Sequence, residues 1–283
     1  MIFNEVNSDV LNFYKNEGYI HLRSVDVSYF QKVKNLKKYY EDLRAVESEK
    51  AFRGPDGSAR QLVNIFRDEN SGAYNLYKTS VIIELINNLI KGCAVFTHAK
   101  LSFKTPFKEA DWYFHQDNGY KNNLDLRSGF AIFICLEDMN EENGCLKLVP
   151  KSHLLGKLSH TRKLEHAESG DNQIYLPTLP KGYKILPIKA KQGDIIIFHS
   201  NTIHGSGSSN INSKRLSLIS EVEPYSLPKF DDYGMIPILA KGEIPAYHRI
   251  ILSLGKLTNP IALWFMIKKR YPKLAALIRK MRY

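Results

Sequence analysis

The chain has 283 residues, of which 43% are hydrophobic and 24% are charged, with 16 Tyr and 14 Phe. This composition is typical of a globular protein with one large or two small domains, and it excludes a wholly disordered chain. No apolar run of about 18 residues is present, so no membrane-spanning helix is expected. The first residues lack the basic start and apolar core of a secretory signal, so none is predicted.

The charge distribution indicates which partners are possible, and the cysteine content indicates the cellular compartment. The formal net charge is +11, but eight basic residues and no acidic residue lie between residues 256 and 283, which leaves +3 for residues 1–255. This distribution argues against a nucleic-acid-binding body and leaves an anionic partner for the tail open. The three Cys form no CxxC pair, which fits a protein of the reducing cytoplasm.

The first third of the chain is predicted to be mainly helical. Apolar spacing indicates a short helix over residues 9–16, ended by Gly18, and then a strand over residues 19–22. Asp26 is expected to cap a helix that runs to about residue 50. Turn residues follow over 53–60, and another helix is predicted over residues 76–90.

After Gly92 the apolar period changes from helical to alternating. Val95, Thr97, Ala99, Leu101 and Phe103 are expected on one face of a strand. Further strands are predicted over residues 112–117, 129–136, 146–149, 183–188, 194–198 and 215–222. The helices come first, and the strands then follow one another without regular intervening helices. This order indicates a mainly β fold, either an antiparallel barrel or a sandwich, with flanking α-helices. With no linker before residue 255, we predict one domain over residues 1–255 and a basic amphipathic tail over residues 256–283.

Two segments carry residues suited to a metal site. On a strand, residues i and i+2 point to the same face, so His115 and Asp117 are expected to project together. An HxD pair alone is a weak signal, because it also occurs as a surface His beside a solvated Asp. A second segment offers two histidines, His199 and His204, and residue spacing leaves both open as a third ligand.

Arg215 opens an apolar strand eleven residues after His204. A buried guanidinium requires an anion, although a strand-end Arg on the surface is the simpler interpretation. Two His and one carboxylate form the facial triad of non-haem Fe(II) oxygenases, which leaves coordination positions open for a 2-oxo acid and oxygen. An Arg can then hold the far carboxylate of that 2-oxo acid through a two-pronged contact.

The combination of these residues resembles the phytanoyl-CoA dioxygenase family of Fe(II)/2-oxoglutarate oxygenases. The resemblance covers residues 8–222 and rests on His115-x-Asp117, His204 with Ser206, and Arg215. The segment from Asn143 to His153 is similar to the family's NGxLxxxPGSH motif, except that Lys151 stands where the family has Gly. The resemblance implies a double-stranded β-helix core of the jelly-roll, cupin-like type, with Fe(II), 2-oxoglutarate and O2 as cofactors.

The same resemblance implies a role for each site residue. His115, Asp117 and His204 would bind Fe(II), and Arg215 would pair with the C5 carboxylate of 2-oxoglutarate. The residues that would line the cosubstrate pocket are Ser206, Thr97 and Phe133; for the last two, ordinary core packing is an equal alternative. A carboxylate at position 117 favours hydroxylation over halogenation, and leaves desaturation, cyclisation and epimerisation open.

Other functions and partners stay open at this level. The alternatives to a hydroxylase are a non-catalytic binding protein of the same fold and a zinc hydrolase that uses the same triad. The substrate is expected to be a small molecule or a lipid- or glycan-linked one. The tail combines apolar and basic residues, which fits either peripheral contact with an anionic membrane or packing on the body or across a dimer. The oligomeric state is not predicted, and the expected location is cytoplasmic, with or without membrane contact.

Overall fold

The computed structural model describes residues 1–23, 26–43, 51–53, 59–63, 65, 72–90, 94–104, 112–121, 129–162, 174–212, 215–224 and 236–238. Two antiparallel sheets face each other, and a layer of helices covers the outer face of the larger one. The predicted tail, residues 256–283, lies outside the described residues, as does Cys93. Cys135 and Cys145 are buried free thiols. Within the described part of the chain, no helix is long and apolar enough to cross a membrane.

In the described part of the chain, four α-helices form the covering layer. They are α1 (Ser8–Glu17), α2 (Val27–Leu43), α3 (Ala73–Tyr77) and α4 (Ser80–Leu89). Gly18 ends α1 in the left-handed conformation, with φ of 78°, and Asp26 accepts a hydrogen bond from the Tyr29 amide at the start of α2. The helix predicted over residues 76–90 is divided in two, because Thr79 has extended backbone and its hydroxyl donates to the Leu76 carbonyl.

The larger sheet has eight strands in the order β1-β11-β6-β13-β4-β3-β2, with β14 also pairing β4. Their bounds are β1 (Tyr19–Leu22), β2 (Ala51–Arg53), β3 (Ala59–Val63), β4 (Ala94–Lys104), β6 (Phe130–Cys135), β11 (Ile195–His199), β13 (Arg215–Pro224) and β14 (Ile236–Ile238). Strand β6 is apolar throughout because both of its faces are buried. Phe130, Ile132 and Ile134 pack toward the helices, whereas Ala131 and Phe133 pack toward the smaller sheet.

The smaller sheet has the order β10-β7-β12-β5. Its strands are β5 (Trp112–His115), β7 (Leu146–Leu148), β10 (Leu186–Pro187) and β12 (His204–Ser206), and a separate hairpin pairs β8 (Thr161–Arg162) with β9 (Ile174–Tyr175). Leu146 and Leu148 of this sheet pack against Phe133 and Phe198 of the larger one. The two sheets therefore enclose a shared core, and this is the double-stranded β-helix (jelly-roll) arrangement with flanking helices that was predicted.

Strand β4 departs from the predicted alternation. Ala99, Leu101 and Phe103 share one face as expected, and this face packs on the helical side, but Phe96 and Ala94 join them there. The pairing with β13 skips Thr97, since Glu221 faces His98 and Val222 faces Phe96. This extra residue inverts the two faces of the strand, so the prediction of one uninterrupted apolar face from Val95 to Phe103 is wrong.

Three other elements differ from the predicted ones. Part of the segment predicted as a turn, residues 53–60, belongs to the hairpin of β2 and β3. The strand predicted over residues 183–188 is reduced to the two residues of β10. The strand predicted over residues 112–117 ends at His115, and a 3-10 helix begins at Asp117.

Lys151 lies in the motif turn that follows β7. Its φ is +66°, and it is the one non-glycine residue with positive φ in the described part of the chain. Its amide donates to the Glu17 carbonyl, and its ammonium, on a side chain that is 60% exposed, lies 3.4 Å from the Glu17 carboxylate. The turn therefore keeps its left-handed backbone with Lys in place of Gly.

We expect Lys151→Gly to stabilise the protein. Left-handed backbone costs a residue with a Cβ about 1–2 kcal/mol, while the greater freedom of glycine in the unfolded chain offsets part of that. An exposed ion pair contributes little. The expected gain in the free energy of unfolding is about 0.5–1 kcal/mol, measured by urea denaturation. Lys151→Ala is the matched control: it removes the ion pair but retains the Cβ, so a gain of equal size there would contradict backbone strain.

Candidate metal centre

The pairing of β5 with β12 brings the two histidines of the predicted triad together. His204 lies opposite His115, whereas Ser206 lies opposite Trp112, so β5 contains one residue more than β12 between these pairs. Such a bulge changes the direction in which the side chains of the longer strand point. Gly205 permits the close approach, because a Cβ at this position would lie 2.7 Å from the Trp112 carbonyl oxygen.

The structure places the predicted ligand atoms in one cluster. The nearest nitrogen and oxygen atoms of His115, Asp117 and His204 all lie within 4.8 Å of one another, and His204 Nε2 is 3.6 Å from Asp117 Oδ1. Although β5 ends at His115, Gln116 keeps extended backbone. Asp117 therefore still projects on the side of His115, as the i, i+2 argument predicted.

Both imidazoles present the same nitrogen to this cluster. His115 Nδ1 lies 2.8 Å from the Tyr113 carbonyl oxygen, and His204 Nδ1 lies 3.0 Å from the Thr202 carbonyl oxygen. A carbonyl only accepts, so each Nδ1 donates and each Nε2 retains a lone pair. Burial lowers the pKa of His115 to about 3, with a further contribution from His204, and burial lowers the pKa of His204 to about 4. Both rings are therefore neutral at neutral pH, as metal ligation requires.

Asp117 completes a donor set that suits a divalent cation. The residue is 8% exposed, and its Oδ2 atom has no hydrogen-bond partner among the described residues. A buried carboxylate oxygen without a partner is costly unless a cation or donor faces it. Two neutral imidazoles and one carboxylate are the donors that non-haem Fe(II) sites use, so the residues present fit Fe(II).

Gln116, which lies between His115 and Asp117, fixes the surrounding loops. Its side-chain amide donates to the carbonyls of Gly156 and Asn201 at 2.8 and 2.7 Å, and its Oε1 accepts from the Leu158 amide at 2.7 Å. Asn118 also donates to the Asn201 side chain. These contacts attach the segment that carries Asp117 to the turn that precedes His204. The sequence alone does not indicate this role, since each contact joins residues about 40 or more positions apart.

His199, the alternative third ligand, lies outside the cluster. Its Nδ1 accepts a hydrogen bond from the Asn201 amide at 3.0 Å, and its ring packs against His153 with centroids 5.5 Å apart. Burial, and then the His153 charge, lower its pKa to about 4. Of the two candidates that the sequence left open, the geometry brings His204 and not His199 to His115 and Asp117.

Arg215 lies at the first residue of β13, where it is buried and lines the same cavity as the triad. Its Nη1 donates to the Gly144 carbonyl, and its guanidinium carbon lies 5.8 Å from the centre of the Phe133 ring. Gly144 has φ of +73°, and a Cβ there would lie 2.3 Å from the Gly207 carbonyl oxygen. The NG motif thus allows the chain to approach closely enough to support the guanidinium.

The remaining predicted pocket residues fall in two groups. Ser206 and Phe133 line the cavity together with Arg215. The backbone of Thr97 belongs to β4, but its side chain lies outside the described residues. Its predicted contact with the cosubstrate therefore stays a prediction.

The cavity has a polar wall that was not predicted from the sequence. The wall consists of residues from three adjacent strands and the start of β5: Gln61, Lys100, Ser102, Lys104, Trp112 and Glu221. The alternation Lys-x-Ser-x-Lys in β4 is the one signal that pointed to it. Only the packing of the two sheets shows that this pattern faces the cavity.

Comparison with known proteins agrees with this geometry. The model of the phytanoyl-CoA dioxygenase family matches residues 14–215, which is more than half of the chain and includes the triad and Arg215. The chain belongs to the phytanoyl-CoA dioxygenase family. Members of this family are non-haem iron dioxygenases that use Fe(II), 2-oxoglutarate and O2, and the residues of this chain fit that class.

Two relatives and one solved structure illustrate the similarity. An ectoine dioxygenase of Bordetella parapertussis is 22% identical over 72% of this chain and 70% of its own length. A phytanoyl-CoA dioxygenase of Arabidopsis thaliana is 26% identical over 75% of this chain and 73% of its own length. The crystal structure of EctD from S. alaskensis with 2-oxoglutarate and 5-hydroxyectoine superposes with a TM-score of 0.63 at 16% identity, covering 78% of this chain and 77% of that one. The structural likeness confirms the jelly-roll fold.

Proposed function

We propose that the protein hydroxylates an aliphatic carbon of a small molecule, with Fe(II) bound by His115, Asp117 and His204. The observation that carries this proposal is the buried Asp117 carboxylate, which clusters with His115 and His204 within 4.8 Å and whose Oδ2 has no hydrogen-bond partner among the described residues. Fe(II) with 2-oxoglutarate and O2 supplies the oxidising chemistry, in which 2-oxoglutarate becomes succinate and CO2 as the substrate is hydroxylated.

The residues around the metal contribute orientation and exclusion of water. The carbonyls of Tyr113 and Thr202 accept hydrogen bonds from Nδ1 of His115 and His204, so that Nε2 of each ring points toward the metal site. The hydrogen bonds of Gln116 fix the loops beside Asp117, so that the three ligands keep their spacing. The apolar core between the two sheets, which includes Phe133 and Phe198, adjoins the cluster and keeps one side of it dry.

The cosubstrate is proposed to lie between the triad and Arg215. A guanidinium can bind a carboxylate through two parallel hydrogen bonds, and this one is already oriented by Gly144 and Phe133. The hydroxyl of Ser206, two residues after His204, lines the same space. Thr97 and Phe133 are proposed to line the remainder of the 2-oxoglutarate site.

Small molecules are the favoured substrates because the ectoine dioxygenase relative is named for one.

A lipid- or glycan-linked substrate is the narrower proposal that depends on the tail, residues 256–283. Truncation before Lys256 would then abolish binding to anionic vesicles, whereas full-length protein that ignores such vesicles at low salt would exclude membrane docking. A cytoplasmic location likewise stays a prediction.

Anaerobic addition of Fe(II) and 2-oxoglutarate tests the proposed function directly. We expect a visible metal-to-ligand charge-transfer band that requires both additions, followed by succinate formation when O2 is admitted. A folded protein that shows no band would contradict the cosubstrate assignment. A band without succinate would instead favour a non-catalytic binding protein, and Zn(II)-dependent hydrolysis without a band would favour a hydrolase.

Arg215→Ala is expected to weaken 2-oxoglutarate binding by about tenfold or more, because a hydrogen bond to a charged group contributes about 1.5–3 kcal/mol. Arg215→Lys keeps the charge but loses the two-pronged geometry, so an intermediate loss is expected. The dissociation constant is measured by titrating the charge-transfer band.

Fe(II) affinity and the melting temperature serve as controls for both Arg215 variants, since removal of a buried guanidinium also leaves the Gly144 carbonyl without its donor. Unchanged 2-oxoglutarate affinity in a folded Arg215→Ala protein would place the carboxylate site elsewhere.

A further inference from the structure

A histidine side chain, His160, binds the backbone on the outer edge of β5. This strand is the last in the order of the smaller sheet, and its inner edge pairs with β12. On the outer edge, the Phe114 carbonyl accepts a hydrogen bond from the Leu176 amide at 2.8 Å. Every second residue of a strand presents its backbone groups to the same edge, so the Gln116 amide also faces outward. It donates to His160 Nε2 at 3.0 Å, and the imidazole thus takes the place of a carbonyl from a further strand.

The second ring nitrogen of His160 determines which nitrogen accepts. His160 Nδ1 lies 2.8 Å from the Leu158 carbonyl oxygen. Because a carbonyl only accepts, Nδ1 carries the proton and Nε2 keeps the lone pair that receives the Gln116 amide. The ring also lies against Gly119, where a Cβ would be 2.8 Å from His160 Nδ1. The ring is therefore held in one orientation by its hydrogen bonds and by this close contact.

The amide that His160 accepts lies between two of the predicted metal ligands. Gln116 is fully buried, and a buried backbone amide without an acceptor is costly. Asp117 projects on the side of His115 because Gln116 keeps extended backbone, with φ of −116° and ψ of 140°. The hydrogen bond to His160 thus fixes the His115–Gln116 peptide, whose rotation would change the direction of the Asp117 carboxylate.

Residues 156–160 bind Gln116 at its side chain as well as at its backbone. The Gln116 side chain donates to the Gly156 carbonyl and accepts from the Leu158 amide, as described above. Those two contacts join loops to the side chain. The contact from His160 differs from them, because it acts on the backbone that connects the two ligands.

We propose that His160 is a positioning residue that sets the affinity of the site for Fe(II) by fixing the peptide between His115 and Asp117. This inference rests on the proposed function, because it takes these two residues as Fe(II) ligands. His160 itself does not belong to the cluster of ligand atoms. Groups that orient metal ligands without touching the metal commonly change metal affinity by about 10- to 100-fold.

The affinity of the full chain for Fe(II) tests this inference without knowledge of the substrate. Fe(II) is titrated anaerobically at saturating 2-oxoglutarate, and the charge-transfer band is recorded. His160→Leu removes the acceptor and should weaken Fe(II) binding by about tenfold or more. His160→Gln should stay within about threefold of the parent, because its side-chain oxygen can accept at the position of Nε2.

His160→Asn provides a second variant that keeps a polar side chain. Its side-chain oxygen corresponds to Nδ1 and is too short to reach the Gln116 amide, so we expect the same loss as in His160→Leu. The comparison of Asn with Gln therefore remains decisive if His160→Leu does not fold. The 2-oxoglutarate affinity at saturating Fe(II) should stay within about twofold of the parent in every folded variant, because the far carboxylate is proposed to bind Arg215.

The matched control is His199→Leu. His199 is also half-buried, and its ring nitrogen likewise accepts a hydrogen bond from a backbone amide at 3.0 Å. That amide belongs to Asn201, three residues from the nearest predicted ligand, His204. We expect His199→Leu to change the Fe(II) affinity by less than about twofold, whereas the stability of the metal-free protein falls in both histidine variants because each leaves a backbone amide without its acceptor.

Three results would overturn the inference: unchanged Fe(II) affinity in a folded His160→Leu or His160→Asn protein, equal losses in His160→Gln and His160→Asn, or an equal loss in His199→Leu. Reduced urea stability with unchanged Fe(II) affinity would assign His160 to the fold alone. Failure of the proposed function is distinguishable, because it appears as a missing charge-transfer band in the parent protein.

Discussion

We expect Asp117→Ala and His115→Ala each to reduce iron-dependent succinate formation to background, because two donors do not retain Fe(II) where three are required. Stability is expected to change in the opposite sense. Asp117 Oδ2 is buried without a hydrogen-bond partner among the described residues, so its removal relieves a desolvation penalty of about 1 kcal/mol or more in the metal-free protein. Metal-free Asp117→Ala should therefore unfold at equal or higher urea concentration than the parent.

The melting temperature, measured as Fe(II) is titrated, tests whether the loss of activity reflects the loss of metal binding. Ligands that bind only the folded state raise the melting temperature, so Fe(II) under anaerobic conditions should stabilise the parent protein and leave Asp117→Ala unaffected. Loss of activity together with unchanged stabilisation by Fe(II) would mean that Asp117 is not a ligand.

The choice between the two histidines is tested by the matched pair His204→Ala and His199→Ala. His204 lies in the cluster with His115, whereas His199 packs against His153 and accepts from the Asn201 amide. We expect His204→Ala to be inactive and His199→Ala to retain Fe(II) binding and succinate formation. Retained activity in His204→Ala but not in His199→Ala would reverse the assignment.

Asp194→Asn is expected to destabilise the fold by about 3 kcal/mol, the range for removing one partner of a buried charged network. Asp194 is 1% exposed and begins the segment that leads through β11 toward His204. Its carboxylate accepts hydrogen bonds from Arg23 and from the Lys191 amide, and His21 Nε2 lies 2.8 Å from it. The free energy of unfolding is measured by urea denaturation at pH 7.

The control for this variant is Asp138→Asn. Asp138 bonds the Lys191 ammonium and the Gln192 amide in the neighbouring turn, but its side chain is 60% exposed. Exposed ion pairs contribute about 0–1 kcal/mol, so Asp138→Asn should cost less than about 1 kcal/mol. Equal losses in both variants would show that burial does not determine the effect.

The same carboxylate predicts how stability depends on pH. Burial alone would raise the pKa of Asp194, but hydrogen bonds from His21 and Arg23 outweigh it and lower the pKa from 3.8 to about 2. A lowered pKa stabilises the fold above the unfolded-state value and loses that contribution as pH falls toward the folded value. About 2 kcal/mol of stability is therefore lost between roughly pH 4 and pH 2. This slope should be absent in Asp194→Asn, and its persistence there would assign it to other carboxylates.

The sequence by itself determined the features that depend on neighbouring residues. The change from helical to alternating periodicity identified helices followed by strands, and the HxD pair placed two ligands side by side because the backbone between them is extended. Arg215 was a candidate buried cation because it opens an apolar strand, although a surface Arg was the simpler interpretation of that pattern. The jelly roll itself, with the cofactors, came from the resemblance, because local periodicity indicates strands but not their order in a sheet.

Only the tertiary structure decided which distant segments meet. The bulged pairing of β5 with β12 places His204 against His115 and leaves His199 beside His153. The extra residue at Thr97 inverts β4, and the packing of the two sheets turns Lys100 into the cavity. These choices depend on contacts between residues that are far apart in the chain, where packing of both faces of a strand sets the register. A local pattern contains only the alternation, and one inserted residue is enough to exchange the two faces.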